Sequence, residues 1–239
     1  MINSKKYKNI AVLIFSVVQT VLFFLVQTVN GRANDYVSYA VVVLCCLFTV
    51  LYIEKSKDYV FTQIALLGTI MADLFLVVIS PMKQLPAMIF FSITQICYFL
   101  RLYFNGKSEK EKKIHLITRL IASAIALVIT VIVLKEKTDA VSLISMFYYA
   151  NLIINIVFAF VQYKKSPLFA IGLLLFLGCD TLVGLNALLN DYITSENAKQ
   201  VYEMIFGSLN WAWIFYVPSQ ALLALSLTKF NKIKPSSEA

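Results

Sequence analysis

Residues 167–189 read PLFAIGLLLFLGCDTLVGLNALL, an apolar block in which Asp180 is the single charged side chain. At ~1.5 Å rise per residue, a helix of that length spans the hydrocarbon core of a bilayer. Proline suits its first position, where a missing amide hydrogen costs nothing. Working outward, comparable blocks fill the rest of the chain. They fall near 9–29, 37–53, 60–79, 86–104, 114–134, 141–163 and 205–227, so 167–189 is the seventh of eight. The connections between them are short and carry turn signals such as Gly31, Ser80-Pro81, Asn105-Gly106 and Ser166-Pro167. Of 239 residues, 60% are hydrophobic and 14% charged, and mean hydropathy is +0.78. Soluble domains run near ~45–50% apolar and ~25% charged. This excludes a soluble enzyme, a disordered tail and a nucleic-acid-binding protein. The expected fold is all-α: a polytopic membrane bundle of eight transmembrane helices forming one domain over 1–239.

The charge pattern orients it. The N-terminus, the even-numbered loops and the C-terminal tail hold 14 of the 21 Lys and Arg. The odd-numbered loops hold 5, namely Arg32, Lys83, Lys135, Lys137 and Lys199. By the positive-inside rule both termini are cytoplasmic. Arg101 and Arg119 lie near span ends on the basic side, where they are expected to snorkel to the headgroups. The formal charge of +8 thus reads as a topology signal with attraction to anionic membrane lipids, and gives no argument for nucleic acid. The external loop 190–204, with Asp191, Glu196 and Glu203, is long enough for a lid, but the favoured reading is a plain solvated connector. Span two, nearly featureless, is expected to face lipid or apolar helices.

Chemistry in the membrane rests on few groups. Cys45, Cys46, Cys97 and Cys179 all fall in apolar blocks and read as packed thiols. The lone histidine, His115, opens span five and reads as a headgroup contact. No metal and no cofactor is expected. Among 13 acidic residues only Asp73 and Asp180 sit deep within spans. A carboxylate in hydrocarbon is costly, so each must face the bundle interior or a partner. Loss of hydration favours the neutral acid, which makes each a candidate proton donor. Both are the fourteenth residue of a span running from the basic side, hence ~20 Å deep. If spans three and seven are neighbours, the two face one cavity. Tyr148, Asn151, Asn155 and Gln162 share one face of span six, Gln95 and Tyr98 one of span four, and Tyr216, Ser219 and Gln220 one of span eight. Such groups also glue membrane helices at ~0.6–2 kcal/mol each. The paired placement of Asp73 with Gln95 and Asp180 with Gln220 hints at two four-helix halves in parallel orientation.

Four segments then carry a resemblance. ALLGTIMADLFLVV (65–78), FFSITQICYFL (90–100), GLLLFLGCDTLVGLN (172–186) and FYVPSQALLALS (215–226) resemble, in order and spacing, the YhhN-like membrane proteins, which include the animal lysoplasmalogenases. Asp73 fits the aspartate of the family's Gly-Asp motif, with Ala72 in place of Gly. Gln95 stands where a His precedes Tyr98, and glutamine cannot shuttle a proton at neutral pH. Cys179-Asp180 resembles a Ser-Asp site, and Tyr216 to Gln220 a Tyr-x-x-Ala-Gln segment. The resemblance implies a hydrolase that cleaves the vinyl ether of an amphiphilic lysolipid, without a metal. Asp73 and Asp180 would serve as acid and as base or cation stabiliser, with Asp180 preferred as acid. Gln95, Tyr98, Asn151, Asn155, Tyr216 and Gln220 would orient water and substrate. The competing reading is a proton-coupled transporter of lipids or small molecules that uses the same aspartates, and a third is a purely structural membrane factor. A homodimer is compatible with either of the first two, and the lysine-rich loops fit a bacterial plasma membrane.

Overall fold

The computed structural model describes residues 5–52, 57–106, 108–189, 196–206 and 210–228. Among these it is all-helical: α1 (Lys5–Thr28), α2 (Arg32–Leu51), α3 (Lys57–Asp73), α4 (Gln84–Asn105), α5 (Glu109–Leu134), α6 (Ala140–Val161), α7 (Pro167–Ala187), α8 (Glu196–Phe206) and α9 (Trp211–Leu225). A π-helical turn, Leu74–Val78, continues α3. Local chemistry sets the ends. The Ser108 hydroxyl accepts from the Glu111 amide at 3.1 Å and opens α5. Asp139 and Ser142 form a capping box at the start of α6. Gly31, at φ 66, supplies the turn into α2.

Among the described residues seven helices are long and apolar enough to cross a membrane, so the chain is an integral membrane protein. The eighth expected span is divided. Its first residues belong to α8, and α9 restarts at Trp211 with 15 residues, ~22 Å of helix. The lid segment 190–195, with Asp191, and the basic tail beyond 228 lie outside the described residues, while Glu196 and Glu203 belong to α8.

Six helices form a ring in the order α2, α3, α4, α6, α7, α9 and back to α2. α1 lies outside against α2 and α9, and α5 outside against α6. These two outer helices present the lipid face, with Leu13, Ile14 and Phe24 on one and Ile121, Ile132 and Val133 on the other exposed. Span two, expected to face lipid or apolar helices, becomes a ring member with Val41, Val42 and Cys45 fully buried. Its apolar surface packs against helices on three sides.

The ring repeats itself. α2, α3 and α4 correspond to α6, α7 and α9. The Thr94 hydroxyl donates to the Ala65 carbonyl at 3.1 Å, tying α4 to α3. The Ser219 hydroxyl donates to the Gly172 carbonyl at 2.8 Å, tying α9 to α7. Ala65 lies as far before Asp73 as Gly172 lies before Asp180, and Thr94 and Ser219 immediately precede Gln95 and Gln220. In both pairs a glycine permits the close approach. A Cβ on Gly68 would sit 2.6 Å from Thr94 Oγ1, and one on Gly172 would sit 3.2 Å from the Leu223 amide nitrogen.

Candidate functional site

Asp73 ends α3 where the helix widens into its π turn, a feature frequent at functional sites. It is 3% exposed, and the Tyr216 hydroxyl of α9 donates to its Oδ2. Asp180 on α7 is only partly buried, and the Tyr148 hydroxyl of α6 donates to its Oδ2. The carboxyls interact electrostatically with each other, and both tyrosines feel both carboxyls. α3 and α7 occupy separate places in the ring and do not form one of its packed pairs. The two groups therefore interact across the interior, where Phe176 packs 5.8 Å from Tyr216 and 5.9 Å from Phe91. The other acidic residue drawn inward on α3 is Asp58, at the basic end, 3.8 Å from Arg101.

A second polar layer lies about two turns toward the basic end. Gln95, Tyr98 and Gln220 are fully buried there. Its orientation follows from one cation. A guanidinium can only donate. Arg119 Nη1 donates to Asn151 Oδ1, and Nη2 to Asn155 Oδ1 at 2.5 Å. Each asparagine is thereby forced to turn its NH₂ away. Asn155 Nδ2 donates to Gln95 Oε1 at 2.9 Å, and Asn151 Nδ2 to Ser123 Oγ at 3.2 Å. Gln95 in turn must point its NH₂ elsewhere. That nitrogen, the Tyr98 hydroxyl and both amide atoms of Gln220 have no protein partner among the described residues. A buried polar atom without a partner costs ~1–3 kcal/mol, so this layer can repay contact with a polar ligand.

The structure thus brings Asp73, Asp180 and Tyr216 into one layer and Gln95, Tyr98 and Gln220 into the next. Asn151 and Asn155 have protein partners at both ends of their amides. Two expectations need correction. Arg119 does not snorkel: it is 7% exposed, turned into the bundle and stacked 4.3 Å over Phe99. Arg101 is likewise 2% exposed, bound to Thr62, Ser226 and Ser166. His115 is no headgroup contact, since it stacks on Phe158 at 3.7 Å and is 2% exposed. In each case an aromatic ring inside replaces water outside, joined by hydroxyls at Arg101 and by asparagine oxygens at Arg119. The sequence reading left Tyr39 of α2 unremarked, although its hydroxyl feels the charge of Asp73. It also used Tyr148 only as part of a polar face.

Two cavities flank these layers, and neither is lined by Asp73 or Asp180. One, about 190 Å³, lies just past Asp180 between Leu182, Asn186, Tyr202 and Trp211. The other, about 340 Å³, lies at the basic end. Among the described residues no three His, Cys, Asp or Glu side chains converge to hold a metal.

An integral membrane bundle with an interacting carboxyl pair in its interior, one member buried and one partly so, suits acid–base catalysis and proton-coupled transport alike. The family assignment is firmer: the chain belongs to the YhhN family, whose sequence pattern matches residues 33–227. No curated protein and no solved structure matches it.

Proposed function

We propose that this protein is an intramembrane hydrolase that cleaves the vinyl ether of a lysoplasmalogen-type lipid, with both termini on the cytoplasmic side. The observation that carries this reading is the carboxyl pair, each member held by a tyrosine, in a member of the YhhN family. Two neighbouring carboxyls readily share one proton, which provides an acid and a base at once. Asp180, the more accessible, delivers its proton to the β-carbon of the vinyl ether. The oxocarbenium ion that forms is stabilised by the ionised Asp73. Water adds to the α-carbon and gives its proton to the carboxylate pair, restoring the starting protonation. The hemiacetal then collapses to a fatty aldehyde and a glycerophospho-alcohol, with one water consumed in total. Gln95, Tyr98 and Gln220 offer hydrogen bonds to the substrate's oxygens. Asn155 acts through Gln95 and holds its amide, while Asn151 helps to fix Arg119. Tyr148 and Tyr216 each hold one oxygen, Oδ2, of a carboxyl and leave Oδ1 for the reacting groups, and substrate arrives sideways from the lipid.

Product analysis by mass spectrometry tests this. Purified protein in detergent is offered lysoplasmalogen or, as control, an ester lysophospholipid. Wild type releases aldehyde from the vinyl ether alone, and the Asp73→Asn and Asp180→Asn variants release none while remaining folded. Folded wild type that makes no product from either lipid overturns the assignment, and proton flux dependent on the same aspartates in sealed vesicles would then establish the transporter.

A further inference from the structure

The larger cavity, about 340 Å³, is unused by that chemistry. It opens where α4 and α6 end and α7 begins. Its wall carries three cations, Arg101, Lys164 and Lys165, against one carboxylate, Asp58. Leu102, Ala159 and Phe169 form an apolar floor. The positive charge is built in. The Arg101 guanidinium lies 4.1 Å over the Phe169 ring and bonds Ser226 at 2.7 Å, Thr62 at 2.9 Å and Ser166 at 3.1 Å. Its donors are committed, so it supplies fixed charge while the lysines supply contacts. Lys165 Nζ gives one hydrogen to the Asn105 carbonyl at 2.7 Å and keeps others to offer. The positive end of the α7 dipole adds to the field.

We propose that this cavity binds a phosphate group, either that of an anionic phospholipid headgroup or a free phosphate. Basic pockets between membrane helices have this chemistry, and the apolar floor suits the glycerol and first methylenes of a lipid. The site is separate from the carboxyl pair. Phe169 precedes Asp180 by eleven residues, ~16 Å along α7. A lysolipid carries its phosphate and its ether on the two ends of one glycerol, much closer together, so one molecule cannot occupy both places. The proposal therefore stands independently of the hydrolase reading.

Native mass spectrometry of the full-length protein, released from mixed micelles, tests it with phosphatidylglycerol against phosphatidylcholine. Wild type retains phosphatidylglycerol at least tenfold over phosphatidylcholine, or, if free phosphate is the ligand, gains thermal stability in millimolar inorganic phosphate. The double variant Lys164→Gln/Lys165→Gln loses whichever response is seen. The variant Lys135→Gln/Lys137→Gln, with the same charge change at the opposite end of the bundle, keeps it. Lipid retention unaffected by added phosphate assigns the headgroup, and displacement by phosphate assigns the free anion. Neither response in wild type, or equal loss in both double variants, overturns the proposal.

Discussion

The two halves of the bundle share a layout and differ in polarity. In the first, Gln19 of the outer helix α1 donates to the Val41 carbonyl of α2 at 3.0 Å and to Cys45 Sγ at 3.3 Å, with no charge involved. In the second, the outer helix α5 sends a charged guanidinium, Arg119, onto two asparagines of α6. The carboxyls differ in the opposite sense. Asp73 is enclosed and has tyrosines on both sides, Tyr216 bonded and Tyr39 within electrostatic range. Asp180 is more open and has Tyr148, while Phe91 stands where the repeat would place a second tyrosine, as Tyr216 stands one turn before Gln220. A repeated scaffold thus supplies two carboxyls, and departures from the repeat make them unlike. Acid–base chemistry requires that unlikeness.

The sharpest way to break the comparison is to neutralise one carboxyl at a time. Asp73→Asn and Asp180→Asn each keep the size and a hydrogen-bonding group. If the carboxyls act as one proton-sharing unit, each change lowers aldehyde release by ~1,000-fold or more, within the ~10²–10⁴ range of acid–base catalysis. Steady-state rates on folded variants check this. A loss confined to Asp180 would reduce Asp73 to a structural partner.

Next in size is the cation of the second half. Arg119→Leu strands the Asn151 and Asn155 oxygens in an apolar interior, at ~1–3 kcal/mol for each. Gln19→Leu in the first half removes one donor from a carbonyl already in a helix and costs about 1 kcal/mol. Denaturant unfolding in detergent compares the two. Arg119→Lys retains the charge but not the fork, and should recover stability more fully than kcat, because one ammonium cannot orient both amides. Equal stability losses in the Gln19 and Arg119 variants would erase the distinction between the halves.

The tyrosines come third. Tyr148→Phe and Tyr216→Phe keep the ring packing and remove one hydroxyl. Each is expected to lower kcat by ~10-fold, ~1.4 kcal/mol, close to the low end of the ~1.5–3 kcal/mol of a hydrogen bond to a charged group. Tyr216→Phe should be the milder, since Tyr39 remains near Asp73. Equal effects in kinetic assays would count against that asymmetry.

The membrane class, the helical architecture and the aspartates were legible because hydrophobic length and buried charge are properties of one segment at a time. The partners of those groups were not. Periodicity puts Tyr148 and Asn155 on one face of α6 without saying which helix that face meets. Arg119 looked like a residue near a span end, yet His115, Arg119 and Ser123 recur every fourth position on an otherwise apolar helix, and that polar stripe was the readable sign of an inward face. Span eight looked continuous because composition does not register the restart at Asn210 and Trp211. Whether span two faces lipid or other helices stayed open for a related reason: in a membrane an apolar surface serves equally against lipid or protein.

The smallest expected effects probe the scaffold that both halves share. At Gly68 an added methyl would press on Thr94 Oγ1 and displace the hydroxyl that binds the Ala65 carbonyl. At Gly172 the methyl meets the Leu223 backbone and side chain at 3.0–3.2 Å. Overpacking of this kind costs ~1–3 kcal/mol. Gly68→Ala and Gly172→Ala should therefore each lower unfolding stability by ~1–2 kcal/mol, since both methyls meet backbone, the Phe90 carbonyl oxygen at 3.3 Å and the Leu223 nitrogen at 3.2 Å. Gly184, on the same helix as Gly172, has nothing within 4 Å of its missing Cβ. Gly184→Ala should gain slightly, by up to ~1 kcal/mol of helix propensity. If Gly172→Ala behaves like Gly184→Ala, α7 and α9 are not held at backbone contact, and the correspondence between the α3–α4 and α7–α9 pairs fails at its closest point.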